Sequence, residues 1–176
     1  FDESEDTEWQ FETIATSSLT GFNSIKLDDN GDPHIAYYDA DANILYYSYF
    51  EQLGCTCWTT ETIDNEVNLL GAGSILSLDL GPNWLNTASV AYVEASDSML
   101  KLVVRSGGPW LVTNIADTNG GADNSLSYGV NSAGIYTGIS IAFTEGGMSP
   151  TGSNTLKFAH HNGEVWNVAT IDSGGN

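Results

Sequence analysis

Positively charged side chains are the scarcest feature of this 176-residue chain. Four Lys and Arg residues stand against 23 Asp and Glu, which gives a formal net charge of −19. Binding to nucleic acid or to an anionic membrane needs cationic groups that neutralise phosphates. The composition therefore argues against both partners. It favours a soluble protein that works outside the cytoplasm, extracellularly or at the cell surface.

Long apolar runs and cysteines are also scarce. No run approaches the roughly 18 apolar residues of a membrane-spanning helix, so no membrane span is predicted. Cys55 and Cys57 are the only cysteines, too few for a structural zinc site. Residues two apart on a strand share a face, but a disulfide ring between them is strained. A strained local disulfide, two free thiols and links to other chains therefore all remain open.

What the chain does contain is a repeat. Four segments of the pattern Trp-x-x-x-x-Ile begin at Trp9, Trp58, Trp110 and Trp166, separated by 49, 52 and 56 residues. A repeat of this length is typical of arrays whose units cannot bury their apolar face alone.

Within each repeat the apolar residues alternate with polar ones, which indicates half-buried strands. The predicted strands are 24–28, 34–39, 44–49 and 57–63, then 75–79, 89–94, 99–104 and 110–115, then 125–128, 140–145, 155–159 and 166–171. Asn30-Gly31 predicts a hairpin with a type I′ turn, which needs positive φ at both positions.

Four antiparallel strands in about 50 residues is the build of a β-propeller blade. We predict an all-β fold of β-propeller-type repeats. It has about three four-stranded antiparallel blades plus one extra strand at Trp9, and it is incomplete as a single closed chain. Residues 1–8 are an acidic lead-in, 9–172 one repeat domain and 173–176 a tail. The predicted repeats are 9–57, 58–109 and 110–165, with a closing strand at 166–172.

The segment Gly31-Asp-Pro-His-Ile-Ala-Tyr37 and the closing Trp of each unit resemble the secreted prokaryotic β-propeller repeat proteins. The wider resemblance is to the sialidase-like propeller group. It implies a propeller fold and an extracellular location. Sialidases grip the substrate carboxylate with three arginines, whereas Arg105 is the only arginine here. The resemblance therefore predicts a non-catalytic member, and no pair of carboxylates stands out for a glycosidase.

The strand count suggests self-association. Three blades leave two blade faces and one spare strand uncovered, and such surfaces need a partner. We therefore expect an extracellular structural protein that associates head-to-tail with copies of itself, as a filament or surface layer. The strands expected to form this joint contain Trp9, Phe11, Thr13, Ile14, Trp166, Val168, Thr170 and Ile171.

The alternative is a lectin-like propeller module that binds carbohydrate or a surface protein. The four regularly spaced tryptophans are interpreted as blade-packing residues, whereas Trp84, in the turn at 81–86, is the ligand-contact candidate. Fucose-type propeller lectins, which the repeat length resembles, place an Arg beside the Trp and an acid. With Arg105 as the only arginine, such a pocket cannot recur in every blade.

Two acidic turns suggest calcium as a cofactor. Asp28, Asn30 and Asp32 surround Gly31, and Asp39 and Asp41 form a weaker version of the same pattern. Oxygen ligands around a glycine suit Ca²⁺, but turn formation explains the same residues. His34 lies on a predicted strand, where a packed or edge position is expected.

Overall fold

The structure, a computed structural model, describes residues 11–16, 19–51, 57–69, 76–82, 87–121, 123–146 and 154–173. These residues contain twelve strands in three four-stranded antiparallel sheets and no helix. Blade 1 holds β1 (Leu19–Leu27), β2 (Pro33–Asp39), β3 (Ile44–Glu51) and β4 (Cys57–Asn65). Blade 2 holds β5 (Ser77–Leu80), β6 (Thr87–Glu94), β7 (Met99–Ser106) and β8 (Leu111–Asp117). Blade 3 holds β9 (Asn124–Val130), β10 (Tyr136–Glu145), β11 (Thr155–His161) and β12 (Trp166–Asp172).

The three predicted four-stranded blades are thus confirmed, each with its strands in chain order. The strand of the Trp-x-x-x-x-Ile segment is an edge strand in every sheet, since β4, β8 and β12 each pair on one side only. These three segments begin at Trp58, Trp110 and Trp166, although β8 itself begins one residue after Trp110.

The structure differs from the sequence prediction at the extra strand. Residues 11–16 form no strand, Phe11 is 93 % exposed, and Thr13 is exposed while Ile14 is half-buried. Trp9 and the lead-in at 1–8 lie outside the described residues. In each described sheet the position of the Trp-x-x-x-x-Ile strand is already taken by β4, β8 or β12, and a lone strand is not stable in water.

The blades stack face to face. One core cluster lies between blades 1 and 2 and includes Ala36, Tyr47, Leu78 and Val90. A second cluster lies between blades 2 and 3 and includes Leu100, Ile141 and Phe143. Strand β6 is buried along its whole length because blades cover both faces of the middle sheet.

The stack is open in the part of the chain that the structure describes. The innermost strands touch in series, β1 against β5 and β5 against β9. Trp110 packs in the cluster between blades 1 and 2, and Trp166 packs in the cluster between blades 2 and 3. Each tryptophan therefore packs on the preceding blade, as the regular spacing predicts. Trp58 lies on the face of blade 1 that neither of the other two described blades covers.

The β1–β2 hairpin forms, but by a different turn. Gly31 has φ +87°, while Asn30 is not among the residues with positive φ. The Asp28 side chain accepts hydrogen bonds from the backbone N–H groups of Asn30 and Asp32, each at 2.8 Å. This Asx-type turn competes with type I′ geometry, so the predicted turn type is wrong.

Candidate functional site

A cluster of polar and aromatic side chains lies at the seam between blades 1 and 2. The Arg105 guanidinium lies 2.6 Å from Oε1 of Glu61, and the Trp110 indole N–H donates to Oε2 of Glu61 at 3.0 Å. Glu61 belongs to β4 of blade 1, whereas Arg105 and Trp110 belong to blade 2. We call these three residues, with Tyr47, Tyr49 and His34, the seam cluster.

The pleat of the strands aims these side chains at one another. Residues alternate between the two faces of a strand. Arg105 therefore shares a face with Val103, which is buried in the core between blades 1 and 2. Glu61 pairs across the ladder with Tyr47, a member of the same core. Stacking the two blades thus brings Glu61 and Arg105 together, although 44 positions separate them in the chain.

Aromatic rings form the floor of the cluster. The Arg105 guanidinium lies 5.5 Å from the centre of the Tyr49 ring, within cation–π range. The His34 ring also stacks on Tyr49, with the ring centres 5.9 Å apart and the planes nearly parallel. The Tyr47 ring meets Trp110 edge to face at 5.1 Å. The side chains are therefore held in place by packing before any ligand arrives.

Burial tunes the charges at the seam. Desolvation lowers the pKa of His34, although the carboxylates of Asp28 and Asp32 oppose this shift. His34 is consequently neutral near pH 7, and its Nδ1 shares a hydrogen bond with the Tyr47 hydroxyl. Burial also raises the pKa of Tyr47, so this phenol keeps its proton.

Arg105 and Glu61 remain accessible. Their side chains are 30 % and 26 % exposed, so solvent reaches part of each group. A guanidinium carries five N–H donors, and Glu61 and the Tyr49 ring leave some of them free. The arrangement places guanidinium N–H donors, a carboxylate acceptor and flat aromatic rings side by side. Clusters of this kind suit polyhydroxylated ligands, whose hydroxyl groups need both partners and whose C–H faces lie on aromatic rings.

The seam cluster occurs at one of the blade positions only. Ladder pairing aligns Arg105 with Phe50 in blade 1 and with His161 in blade 3. Phe50 lies edge to face with Trp58, and His161 lies beside Trp166. Between blades 2 and 3, Thr113 occupies the position of Glu61. Thr113 pairs with Leu102, which is the counterpart of Tyr47, the ladder partner of Glu61. A guanidinium and a carboxylate therefore meet only between blades 1 and 2.

The predicted ligand contact, Trp84, lies outside the described residues. So does Cys55, whereas Cys57 is disulfide-bonded. Of the strands expected to form a joint, β12 is present, with Val168 45 % and Ile171 62 % exposed and Thr170 exposed.

The carboxylates of the two acidic turns accept hydrogen bonds from backbone N–H groups. Hydrogen bonds from Asp32 and Asn30 lower the pKa of Asp28 although burial opposes the shift. One carboxylate oxygen of Asp39 accepts hydrogen bonds from the N–H groups of Asp41 and Ala42. Among the described residues no three His, Cys, Asp or Glu side chains are grouped so as to hold a metal ion. These contacts support turn formation, and calcium binding stays a prediction.

A second concave surface lies where the inner ends of the three blades meet. It is an open cleft of about 550 Å³ whose lining includes Lys26, Asp79 and Tyr128. Lys26 lies 3.3 Å from the Asp79 carboxylate, which also accepts the Tyr128 backbone N–H at 2.8 Å. These groups already satisfy one another, so the cleft is explained by the packing of β1, β5 and β9.

The sequence identified Arg105 as the limiting residue of a lectin pocket and predicted His34 as a packed or edge residue, but Glu61 and Tyr49 were missed. A signal for Glu61 was present, since it lies three residues after Trp58, as Glu12 does after Trp9. The pairing across the seam requires knowing which blade faces meet, which the repeat alone does not show.

Comparison with known proteins gave structural similarity only. No protein-family model matches the chain, and no curated protein sequence matches it significantly. None of the described segments is a helix long and apolar enough to cross a membrane.

Two solved structures share the fold. A fucose lectin from Kordia zhangzhouensis, in complex with methyl-fucoside, aligns with TM-score 0.55 and 15 % identity over 85 % of this chain and 99 % of the lectin. The Aleuria aurantia lectin, an N224Q variant in complex with Fucα1-6GlcNAc, aligns with TM-score 0.62 and 14 % identity over 86 % of this chain. The chain spans 48 % of that second lectin. At these identities the similarity shows the β-propeller-type fold alone.

Proposed function

We propose that this chain is a non-catalytic carbohydrate-binding protein whose sugar site is the seam cluster, and that it works extracellularly or at the cell surface. The observation that carries the proposal is the contact of Arg105 and Trp110 with the two oxygens of Glu61 across the seam. An Arg beside a Trp and an acid is the arrangement that the resemblance to fucose-type lectins implies. The fold shared with two lectins in complex with fucosides supports the same ligand class.

Each side chain has a separate role at this site. Arg105 donates hydrogen bonds to ring or hydroxyl oxygens of the sugar, and its contact with Glu61 fixes the orientation of the planar guanidinium group. Glu61 accepts from a sugar hydroxyl with the lone pairs that its two protein partners leave free. The exposed part of the Tyr49 ring offers an apolar surface for the C–H face of the sugar. Glu61 is the one carboxylate of the seam cluster, whereas a glycosidase uses a pair of carboxylates.

Substitution at the seam tests the proposal. We expect methyl fucoside to change the chemical shifts of the Trp110 indole N–H in NMR titrations of the whole chain. Arg105→Lys keeps the charge but loses the planar fork. Losing hydrogen bonds to a charged group costs about 1.5–3 kcal/mol, so the affinity should fall about 10- to 100-fold.

The matched control is Lys157→Met in blade 3. Lys157 forms a comparable ion pair with Glu145 at 2.7 Å, away from the seam. This variant should keep wild-type affinity. Equal affinity in wild type and Arg105→Lys, or equal losses in both variants, would contradict a site at Arg105. Absence of binding to methyl fucoside and to a panel of neutral glycans would contradict carbohydrate binding itself.

A further inference from the structure

In the described part of the chain, two sheet faces carry the apolar side chains of a blade interface without a blade packed against them. On the first, Ile25 of β1 occupies the same ladder position as Leu78 in blade 2 and Leu126 in blade 3. Leu78 is 1 % exposed and Leu126 is 6 % exposed, because each packs on the preceding blade. Ile25 is 58 % exposed and Leu27, on the same face, 62 %.

Blade 3 shows the complementary half of the interface. Ladder pairing aligns Leu156 with Leu45 and Leu100, both of which are fully buried by the following blade. Leu156 is instead 42 % exposed. Likewise Phe158 aligns with Tyr47 and Leu102, which are 2 % exposed, but is itself 37 % exposed.

The indole of Trp58 points to the same missing neighbour. Trp110, its counterpart in blade 2, donates its N–H to Glu61 on the preceding blade. The Trp58 Nε1 is buried, yet within the described structure it has no hydrogen-bond partner. A buried donor left unpaired destabilises the fold, so a partner that supplies an acceptor is favoured. On the free face of blade 3, the pair His160 and Asn167 carries polar side chains beside Ala169, which holds the position of Glu61.

We infer that blade 1 of one copy packs on blade 3 of a second copy, and that two copies close into a single ring. The uncovered face of blade 1 is equivalent to the faces of blades 2 and 3 that pack on the preceding blade. The uncovered face of blade 3 is equivalent to the faces that pack on the following blade, so this joint repeats the two blade interfaces already present. The chain spans about half of the Aleuria aurantia lectin, which has the same fold. Two copies therefore supply the length of one such molecule. A head-to-tail joint that closes gives a ring rather than a filament.

Mass measurement of the 176-residue chain tests this inference independently of sugar binding. Light scattering after size exclusion, at moderate salt to screen the charge of −19, should give about twice the 18.8 kDa of one chain. Ile25→Glu and Phe158→Glu each place a charge in the joint. Because both residues are exposed in one chain, neither change should unfold it. A buried charge at an interface costs about 2 kcal/mol or more, so the dissociation constant should rise at least about 30-fold.

Val165→Glu is the matched control. Val165 is 55 % exposed in the β11–β12 turn, off both faces, and this variant should keep the two-chain mass. A mass of one chain at every concentration would overturn the inference. So would an unchanged dissociation constant in Ile25→Glu or Phe158→Glu, measured by light scattering over a dilution series, with wild-type circular dichroism. Polymers of increasing length would overturn ring closure.

Discussion

Among single side chains, Glu61 connects the packing of the blades to the proposed function. Its two carboxylate oxygens contact one cation and one indole of the next blade. Its ladder partner, Tyr47, lies in the core between the two blades. Whatever shifts blade 2 on blade 1 therefore shifts the groups offered to a ligand. Arg105 was recognisable from the sequence as the only arginine. Glu61 was marked only by its spacing from Trp58, and the contact between the two depends on blade packing.

The neutral His34 gives a prediction for acid stability. Its pKa lies below 6.5 in the folded protein because burial disfavours the charged ring. Between that lowered value and 6.5, the unfolded chain binds more protons than the folded one. Stability should therefore fall as the pH falls through this window. Urea unfolding at stepped pH values measures the slope.

His34→Phe should reduce this slope, since Phe keeps a ring against Tyr49 without a titrating group. Val165→Phe, an exposed change to the same residue type in the β11–β12 turn, should leave the slope as in the wild type. An unchanged slope in His34→Phe would show that His34 does not titrate as its burial implies.

At the scale of strands and turns, most of the fold was predictable because the signal is local. Alternation such as Leu156 and Phe158 against Thr155 and Lys157 identifies a strand from its own residues. The turn at Asn30-Gly31 was predicted with the wrong type, because the Asp28 side chain captures the backbone N–H groups that follow it. The strand expected at residues 11–14 did not form, since pairing depends on a free sheet edge at the right repeat position.

Strand β10 contains a glycine that its geometry requires. Gly138 has φ +128°, and a Cβ there would lie 2.1 Å from the backbone oxygen of His161. Gly138→Ala should therefore lower the free energy of unfolding by about 2 kcal/mol or more. Thermal melting followed by circular dichroism is the measurement. The control is Gly108→Ala, where a Cβ meets nothing within 4 Å and φ is not positive. Equal melting temperatures for the two variants would refute the requirement at Gly138.

For the molecule as a whole, an open array of three blades explains both the proposed function and the further inference. The positions equivalent to Arg105 are occupied by Phe50 in blade 1 and by His161 in blade 3, so one guanidinium–carboxylate pair exists per chain. The repeat predicted the number of blades from the sequence. It did not predict which interface between blades holds an arginine–glutamate pair, because the segments at Trp58, Trp110 and Trp166 look alike until their neighbours on the facing blade are known.

Isothermal titration of the purified chain with methyl fucoside tests the central claim most directly, because it counts sites as well as detecting them. The account predicts saturable binding of one sugar per chain. In Arg105→Ala, both this binding and the sugar-induced change in the chemical shift of the Trp110 indole N–H should be lost. A stoichiometry of two or three sugars per chain, or one sugar per chain with unchanged heat in Arg105→Ala, would contradict it.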